Sequence, residues 1–249
     1  MTAGFRARLR AGERLHGTLL TIGSVEVAEI LGGLGFDWLF LDAEHGALEP
    51  RDVLLLLQAI AGRTPCLVRI PALEEGWVKR VLDAGAEGII VPQVETAAQA
   101  ERAVRYAHFP PVGTRGLGTG RANRYGLAMA DFLAQSEERV VVVIQAETRG
   151  AVEHIEELVR VPGLDAVFVG PYDLSASLGY PGAVDHPVVR EAIGRVEVAC
   201  RGAGLPAGLF SLSPEGLPTT GFTLLAAGVD GVILGRAAAA ALDGMRRRQ

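Results

Sequence analysis

WLFLDAEHG, residues 38–46, opens with four apolar residues and then sets Asp42, Glu44 and His45 within four positions before a glycine. No polar residue alternates with the apolar ones. The segment therefore reads as a strand covered on both faces, as in a parallel sheet, and not as a half-exposed hairpin strand. A buried strand that ends abruptly in titratable groups places those groups at its carboxyl end.

The same pattern recurs along the chain. Short runs rich in Val, Ile and Leu predict strands at Gly17–Ile22, Trp38–Asp42, Cys66–Ile70, Gly88–Val91, Val140–Gln145, Ala166–Val169, Pro206–Leu209 and Gly231–Leu234. Helical periodicity separates them at Val25–Leu34, Pro50–Ala61, Glu75–Ala84, Ala97–Ala107, Gly150–Val159, Pro187–Ala203 and Pro214–Ala227. Gly35, Gly62, Gly85, Gly204 and Gly228 follow helical runs, where a left-handed cap costs a glycine little. Eight strands alternating with helical runs in about 250 residues match an α/β (β/α)8 barrel. A doubly wound open sheet would want a GxGxxG turn after its first strand, and TIGSVEVAE lacks one. Residues 108–137, beginning HFPPVGTRGLGTGRANRYG, break the rhythm and predict a long loop of functional or interaction value. No linker divides the chain, so residues 1–249 are expected to form one barrel domain.

Composition narrows the partners. Apolar residues make up 49 % of the 249, enough for a large core, and the net charge of −5 comes from interspersed acids and bases. Nucleic acid and anionic membrane are therefore not the expected partners. Cys66 and Cys200 sit in apolar contexts without a CxxC or Cys/His cluster, which predicts reduced core thiols of a cytoplasmic protein. MTAGFRARLRAGERLHG is too charged for a signal-peptide core, and no apolar run reaches membrane-spanning length.

In such barrels the site forms at the carboxyl ends of the strands. Asp42, Glu44 and His45 follow the second predicted strand and Arg69 ends the third. Gln145 and Glu147 follow the fifth, and Asp173 follows the sixth. Each has a structural explanation too: Arg69 as an ion pair with Asp42 or Glu44, Glu147 and Asp173 as helix caps, His45 as a loop anchor. Together they suit one chemistry. Two carboxylates, Glu147 and Asp173, without histidine or thiolate favour a hard divalent ion such as Mg2+ or Mn2+. Arg69 offers a fixed cation for a developing oxyanion, and His45 is the group suited to proton transfer near neutrality. Metal, guanidinium and base suit a 2-oxo acid that must become an enolate. A Schiff base needs a buried lysine. Lys79 is the single lysine and falls on the outer face of a predicted helix.

DAEHG at 42–46, VRIP at 68–71, VLDAGAEGIIVPQVETAAQA at 81–100, PPVGTRGLG at 110–118, IQAETRGAVEHIEEL from 144 and VPGLDAVFVGPYDLSASLG ending at 179 resemble the HpcH/HpaI class II pyruvate aldolases. That family includes 4-hydroxy-2-oxoheptanedioate and 2-dehydro-3-deoxyglucarate aldolases, within the phosphoenolpyruvate/pyruvate barrel superfamily. The resemblance spans nearly the whole chain. It implies Glu147 and Asp173 as ligands of a divalent metal (Mg2+, Mn2+ or Co2+), Gln145 as a substrate-positioning group and Arg69 at the ketone or enolate oxygen. It implies His45 as acid/base paired with Asp83, and the backbone around Gly170, Pro171, Tyr172 and Asp173 as the carboxylate cradle. It further implies a homo-oligomer, a hexamer built as a trimer of dimers with exchanged C-terminal helices, and a loop at 113–124 near the site. The chain departs from the family pattern at Ala146, at the bulky Tyr172, at GRAAAA near the end and in TLLTIGS, which lacks a tryptophan.

The expected activity is reversible cleavage of a 4-hydroxy-2-oxo acid to pyruvate and an aldehyde, both small molecules. Oxaloacetate decarboxylation or acyl-CoA cleavage would use a similar enolate, although no basic or aromatic patch for an adenine is evident. A non-catalytic barrel that binds a 2-oxo acid is the alternative from another class.

Overall fold

The computed structural model describes residues 4–248. Eight parallel strands close in chain order: β1 (Leu15–Leu20), β2 (Trp38–Asp42), β3 (Cys66–Arg69), β4 (Gly88–Val91), β5 (Val141–Ala146), β6 (Ala166–Val169), β7 (Ala207–Ser211) and β8 (Leu224–Val229), with β8 pairing back onto β1. Around them run α1 (Phe5–Arg10), α2 (Val25–Gly33), α3 (Pro50–Ile60), α4 (Glu75–Asp83), α5 (Ala97–Ala107), α6 (Met129–Arg139), α7 (Arg149–Glu153), α8 (Ile155–Leu158), α9 (Pro171–Ser177), α10 (Pro187–Ala203) and α11 (Asp230–Arg246). The barrel expected from the alternating pattern is present.

Strand side chains alternate between two faces, and here both faces are apolar. Leu39, Leu41, Val68, Ile89, Val142, Ile144 and Val167 pack outward with the helices. Trp38, Phe40, Leu67, Ile90, Val141, Val143 and Phe168 fill the interior. Trp38, Phe40 and Phe168 touch one another with centroids 5.6–6.0 Å apart, so the barrel is solid below its mouth. Phe5 and Leu9 of α1 join this inner cluster and stopper the end where the strands begin. Arg6 and Arg10 fix that helix to the buried Asp165 at 2.8 and 2.7 Å.

The period of two also decides where the polar groups go. Asp42 shares the inward face with Trp38 and Phe40; Arg69 follows Leu67, Gln145 follows Val143, and Gly170 follows Phe168. The top layer of the interior is thus polar on an apolar floor.

Three expectations are corrected. The eighth strand is Leu224–Val229, not Gly231–Leu234, which opens α11. The helix expected over Pro214–Ala227 is only a single 3-10 turn at Pro214–Gly216. The 108–137 segment is no continuous loop: it carries a 3-10 turn at Arg121–Gly126 and most of α6. Both cysteines are free and buried, as expected. No helix among the described residues is long and apolar enough to cross a membrane.

Candidate active site

A cavity of about 310 Å3 opens at the carboxyl ends of the strands. Asp42, His45, Arg69, Gln145, Gly170 and Asp173 contribute to its wall, over a floor that includes Phe40 and Phe168.

Arg69 is the hub. Its Nε donates to Asp42 Oδ1 at 2.9 Å and its Nη2 to Asp42 Oδ2 at 2.6 Å, a two-point clamp between adjacent strands in register. Its Nη1 donates to Gln145 Oε1 at 3.4 Å. The ion pair foreseen as a structural explanation therefore exists, and both partners are buried. Burial disfavours charge on either group. Mutual pairing nevertheless holds the Asp42 carboxyl below its ordinary range, helped by the backbone N–H groups of Glu44 and His45, and holds the Arg69 guanidinium above its own. Those two N–H donors reach Asp42 Oδ1 at 3.0 and 3.3 Å, so the strand end doubles back and delivers Glu44 and His45 to the rim. Gly46 completes that turn: a Cβ there would collide with the Asp42 carbonyl oxygen. This is why the opening motif ends in glycine.

Glu147 lies buried beside the hub. Its Oε1 accepts from the Gln93 backbone N–H at 2.8 Å, and its Oε2 accepts from the Gln145 side-chain amide. It does not cap α7, whose cap is Thr148, accepting from the Ala151 N–H at 3.1 Å. Gly170 lets this corner close: a Cβ there would stand 2.5 Å from Gln145 Nε2 and 2.8 Å from Glu147 Oε2. Asp173 is in the first turn of α9, half exposed, with Oδ2 3.8 Å from His45 Nε2. His45 itself is 60 % exposed, free to meet a ligand.

The electrostatics show a site short of positive charge. Burial, reinforced by the Glu44 and Asp173 carboxylates, pushes Glu147 up to about 8 against the pull of the Gln93 N–H and Arg69. Burial also raises Glu44. Arg69 Nε lies 3.1 Å from Glu44 Oε2, but its N–H is directed to Asp42, and Glu44 Oε2 is left buried without a hydrogen bond. A buried acceptor without a donor is costly. Three mutually repelling carboxylates, Glu44, Glu147 and Asp173, beside a guanidinium already paired with Asp42, fit a divalent cation bound by oxygen. Among the described residues no group of three or more His, Cys, Asp or Glu is arranged to hold an ion by itself. Two protein carboxylates would leave the remaining positions to water and ligand.

The structure brings together His45, Arg69, Gln145, Glu147, Gly170, Pro171, Tyr172 and Asp173. It does not bring Asp83. That residue ends α4, which runs back antiparallel to the strands, and it pairs with Arg115 at 2.7 Å at the opposite mouth. The 113–124 segment lies there too, with Arg121 donating to the Ala84 carbonyl at 3.1 Å. Within one chain, neither the His45–Asp83 pair nor a 113–124 loop near the site is realised, because both sit where strands begin. Lys79 is exposed on α4, as expected. Sequence inspection missed the Gln93 backbone and the buried Glu44 oxygen. Nothing in a glutamine's identity signals a main-chain donor.

The sequence matches the HpcH/HpaI aldolase/citrate lyase family over residues 20–237, and the chain belongs to that family. It is 40 % identical over 213 residues to a hydroxypyruvate/pyruvate aldolase of Sagittula stellata, covering 83 % of this chain and 82 % of that one. It is 38 % identical over 238 residues to a 4-hydroxy-2-oxovalerate aldolase of Rhodococcus jostii, covering 93 % and 92 %. A crystal structure of a family member from Burkholderia cenocepacia superposes with a TM-score of 0.93 at 39 % identity, over 97 % of this chain and 98 % of that one.

Proposed function

We propose that this chain is a divalent-metal-dependent aldolase that cleaves a 4-hydroxy-2-oxo acid to pyruvate and an aldehyde, and joins them in the reverse direction. One observation carries the proposal: a buried guanidinium clamped by Asp42 lines one small cavity together with His45 and Asp173, and the buried Glu147 carboxylate lies directly beside that wall, hydrogen-bonded to Gln145. The two relatives named above are a hydroxypyruvate/pyruvate aldolase and a 4-hydroxy-2-oxovalerate aldolase, which supports this reading.

Glu147 and Asp173 would hold the cation, which supplies Lewis acidity toward the carbonyl and carboxylate of the 2-oxo acid. Oxygen donors of this type suit Mg2+, Mn2+ or Co2+. The chain's own residues do the rest. Arg69, immobilised by Asp42 and Gln145, presents a guanidinium edge to the C2 oxygen, where negative charge develops as the C3–C4 bond breaks; one such preorganised donor is worth roughly 3–4 kcal/mol. His45 on the rim accepts the proton of the C4 hydroxyl as the aldehyde forms, and the same ring returns a proton to C3 to give pyruvate. The Tyr172 and Asp173 N–H groups in the first turn of α9 have no acceptor within the helix and suit the substrate carboxylate. Phe40 and Phe168 exclude water from below.

The assembly is proposed as a hexamer, a trimer of dimers, in the cytoplasm. α11 buries only Asp230 and exposes Ile233, Leu234, Leu242 and Met245, an apolar face suited to exchange with a neighbouring copy. Asp83 can pair with a His45 only if it is supplied by such a copy. The free buried thiols accord with a reducing compartment.

The test is pyruvate formation from 4-hydroxy-2-oxo acids. It should stop with EDTA, return with Mn2+ or Mg2+, and be absent in Glu147→Ala and Asp173→Ala. Full-rate release from metal-free enzyme overturns the proposal.

A further inference from the structure

Four non-glycine residues adopt positive φ among the described residues: Ala61, Gln93, Arg124 and Tyr125. Ala61 is the left-handed cap of α3, and Arg124 and Tyr125 bend the 3-10 turn. Gln93, with φ of 53°, belongs to neither kind of feature. It sits between the end of β4 at Val91 and the start of α5 at Ala97.

L residues pay for this conformation sterically, and it persists where the surroundings enforce it. The surroundings are plain. Pro92 and Val94 on either side are buried, while the Gln93 side chain points to solvent and makes no hydrogen bond. What the residue delivers is its main-chain N–H, 2.8 Å from Glu147 Oε1. With the Gln145 amide on Oε2 and Gly170 packed against the same carboxylate, both oxygens of Glu147 have a fixed donor.

We infer that Gln93 is a positioning residue of the metal centre, acting through its left-handed backbone rather than its side chain. The kink turns one amide inward to fix the plane of the Glu147 carboxylate, the group that would hold the cation. The inference rests on Glu147 being a metal ligand, as proposed above.

The conformation and the side chain are separable. Gln93→Gly removes the side chain but adopts positive φ freely, whereas a β-branched residue strongly resists it. Mn2+ binding to the intact protein, followed by electron paramagnetic resonance of free Mn2+, reads the centre without turnover. Gln93→Gly should bind Mn2+ within about threefold of wild type, and Gln93→Val at least tenfold more weakly, with circular dichroism showing both folded. Equal losses in both variants, or no loss in Gln93→Val, overturn the inference. If Gln93→Val does not fold, amide exchange decides: the Gln93 N–H should be protected in metal-free wild type and lose protection in Glu147→Ala, and an unprotected amide in wild type overturns the inference. Failure of wild type itself to bind Mn2+ would instead sink the metal assignment.

Discussion

Replacing Glu147 by Gln removes one buried titrating group at nearly constant size, and the structure gives its expected effect in sign and size. Burial, with Glu44 and Asp173, raises this carboxyl from 4.5 to about 8 in the metal-free fold. A folded-state pKa above the unfolded one means that the unfolded chain ionises first as pH rises. The stabilisation is complete below about 4.5 and is lost progressively up to about 8. At about 1.4 kcal/mol per pH unit, the whole loss is roughly 5 kcal/mol, of which roughly 3 falls between about pH 5.5 and about pH 7.5. Urea unfolding of EDTA-treated wild type and Glu147→Gln at those two pH values measures it. Glu44 and Glu87 are also raised by burial, so the difference between the two proteins is the quantity that isolates Glu147. Wild type should lose about 3 kcal/mol more than the variant across the window. Mn2+ should abolish that excess, because the cation displaces the proton. The same displacement should raise apparent Mn2+ affinity by up to about tenfold per pH unit until about pH 8. Parallel pH dependence of the two proteins would refute the assignment of a protonated, buried Glu147.

The Arg69–Asp42 clamp makes activity and stability separable by double mutation. Arg69→Ala should cut kcat by about 100-fold or more and also cost about 3 kcal/mol of stability, because Asp42 is left buried without its counter-ion. Arg69→Met with Asp42→Asn should recover much of the stability in a denaturation experiment and none of the turnover. Gly170→Ala should weaken Mn2+ binding at least tenfold in a titration, since its Cβ would stand 2.5 Å from Gln145 Nε2 and 2.8 Å from Glu147 Oε2. Borohydride added with pyruvate should leave the protein mass unchanged, because Lys79 is exposed on α4 and far from the cavity; a pyruvyl adduct would revive Schiff-base chemistry.

The places where sequence and structure part have physical causes. LLAAGV and GVILG are both short apolar runs near the end of the chain, and periodicity cannot assign such runs to strand or helix. The alanine-rich run became β8 because the barrel needed an edge for β1. The Val/Ile/Leu run entered α11 behind Asp230, whose carboxylate accepts the N–H groups of Thr21 and Ile22 at 3.0 and 2.8 Å and so ties the helix start to β1. The helix in 129–139 was hidden because the glycine- and arginine-rich residues before it dominated that stretch. For the candidate site, residue type and position at a strand end sufficed to foresee that Arg69, Gln145 and Asp173 share one cavity wall with Glu147 beside it. Asp83 entered through the family resemblance alone, from within a predicted helix, and the direction of that helix sends it to the other mouth of its own chain.

Local order in the chain determined a good deal by itself: non-alternating apolar runs dictated parallel strands, alternation of faces put Asp42 on one face with Trp38 and Phe40, and a single exposed-face lysine dictated against an imine. Those properties follow from side-chain period and residue chemistry, which are local. Closure of the barrel decided what no local pattern holds. It set Arg69 onto Asp42, left a Glu44 oxygen without a donor, and turned one glutamine's main chain toward Glu147. Each of these depends on how far apart the ends of different strands lie, and that distance exists only once the last strand has met the first.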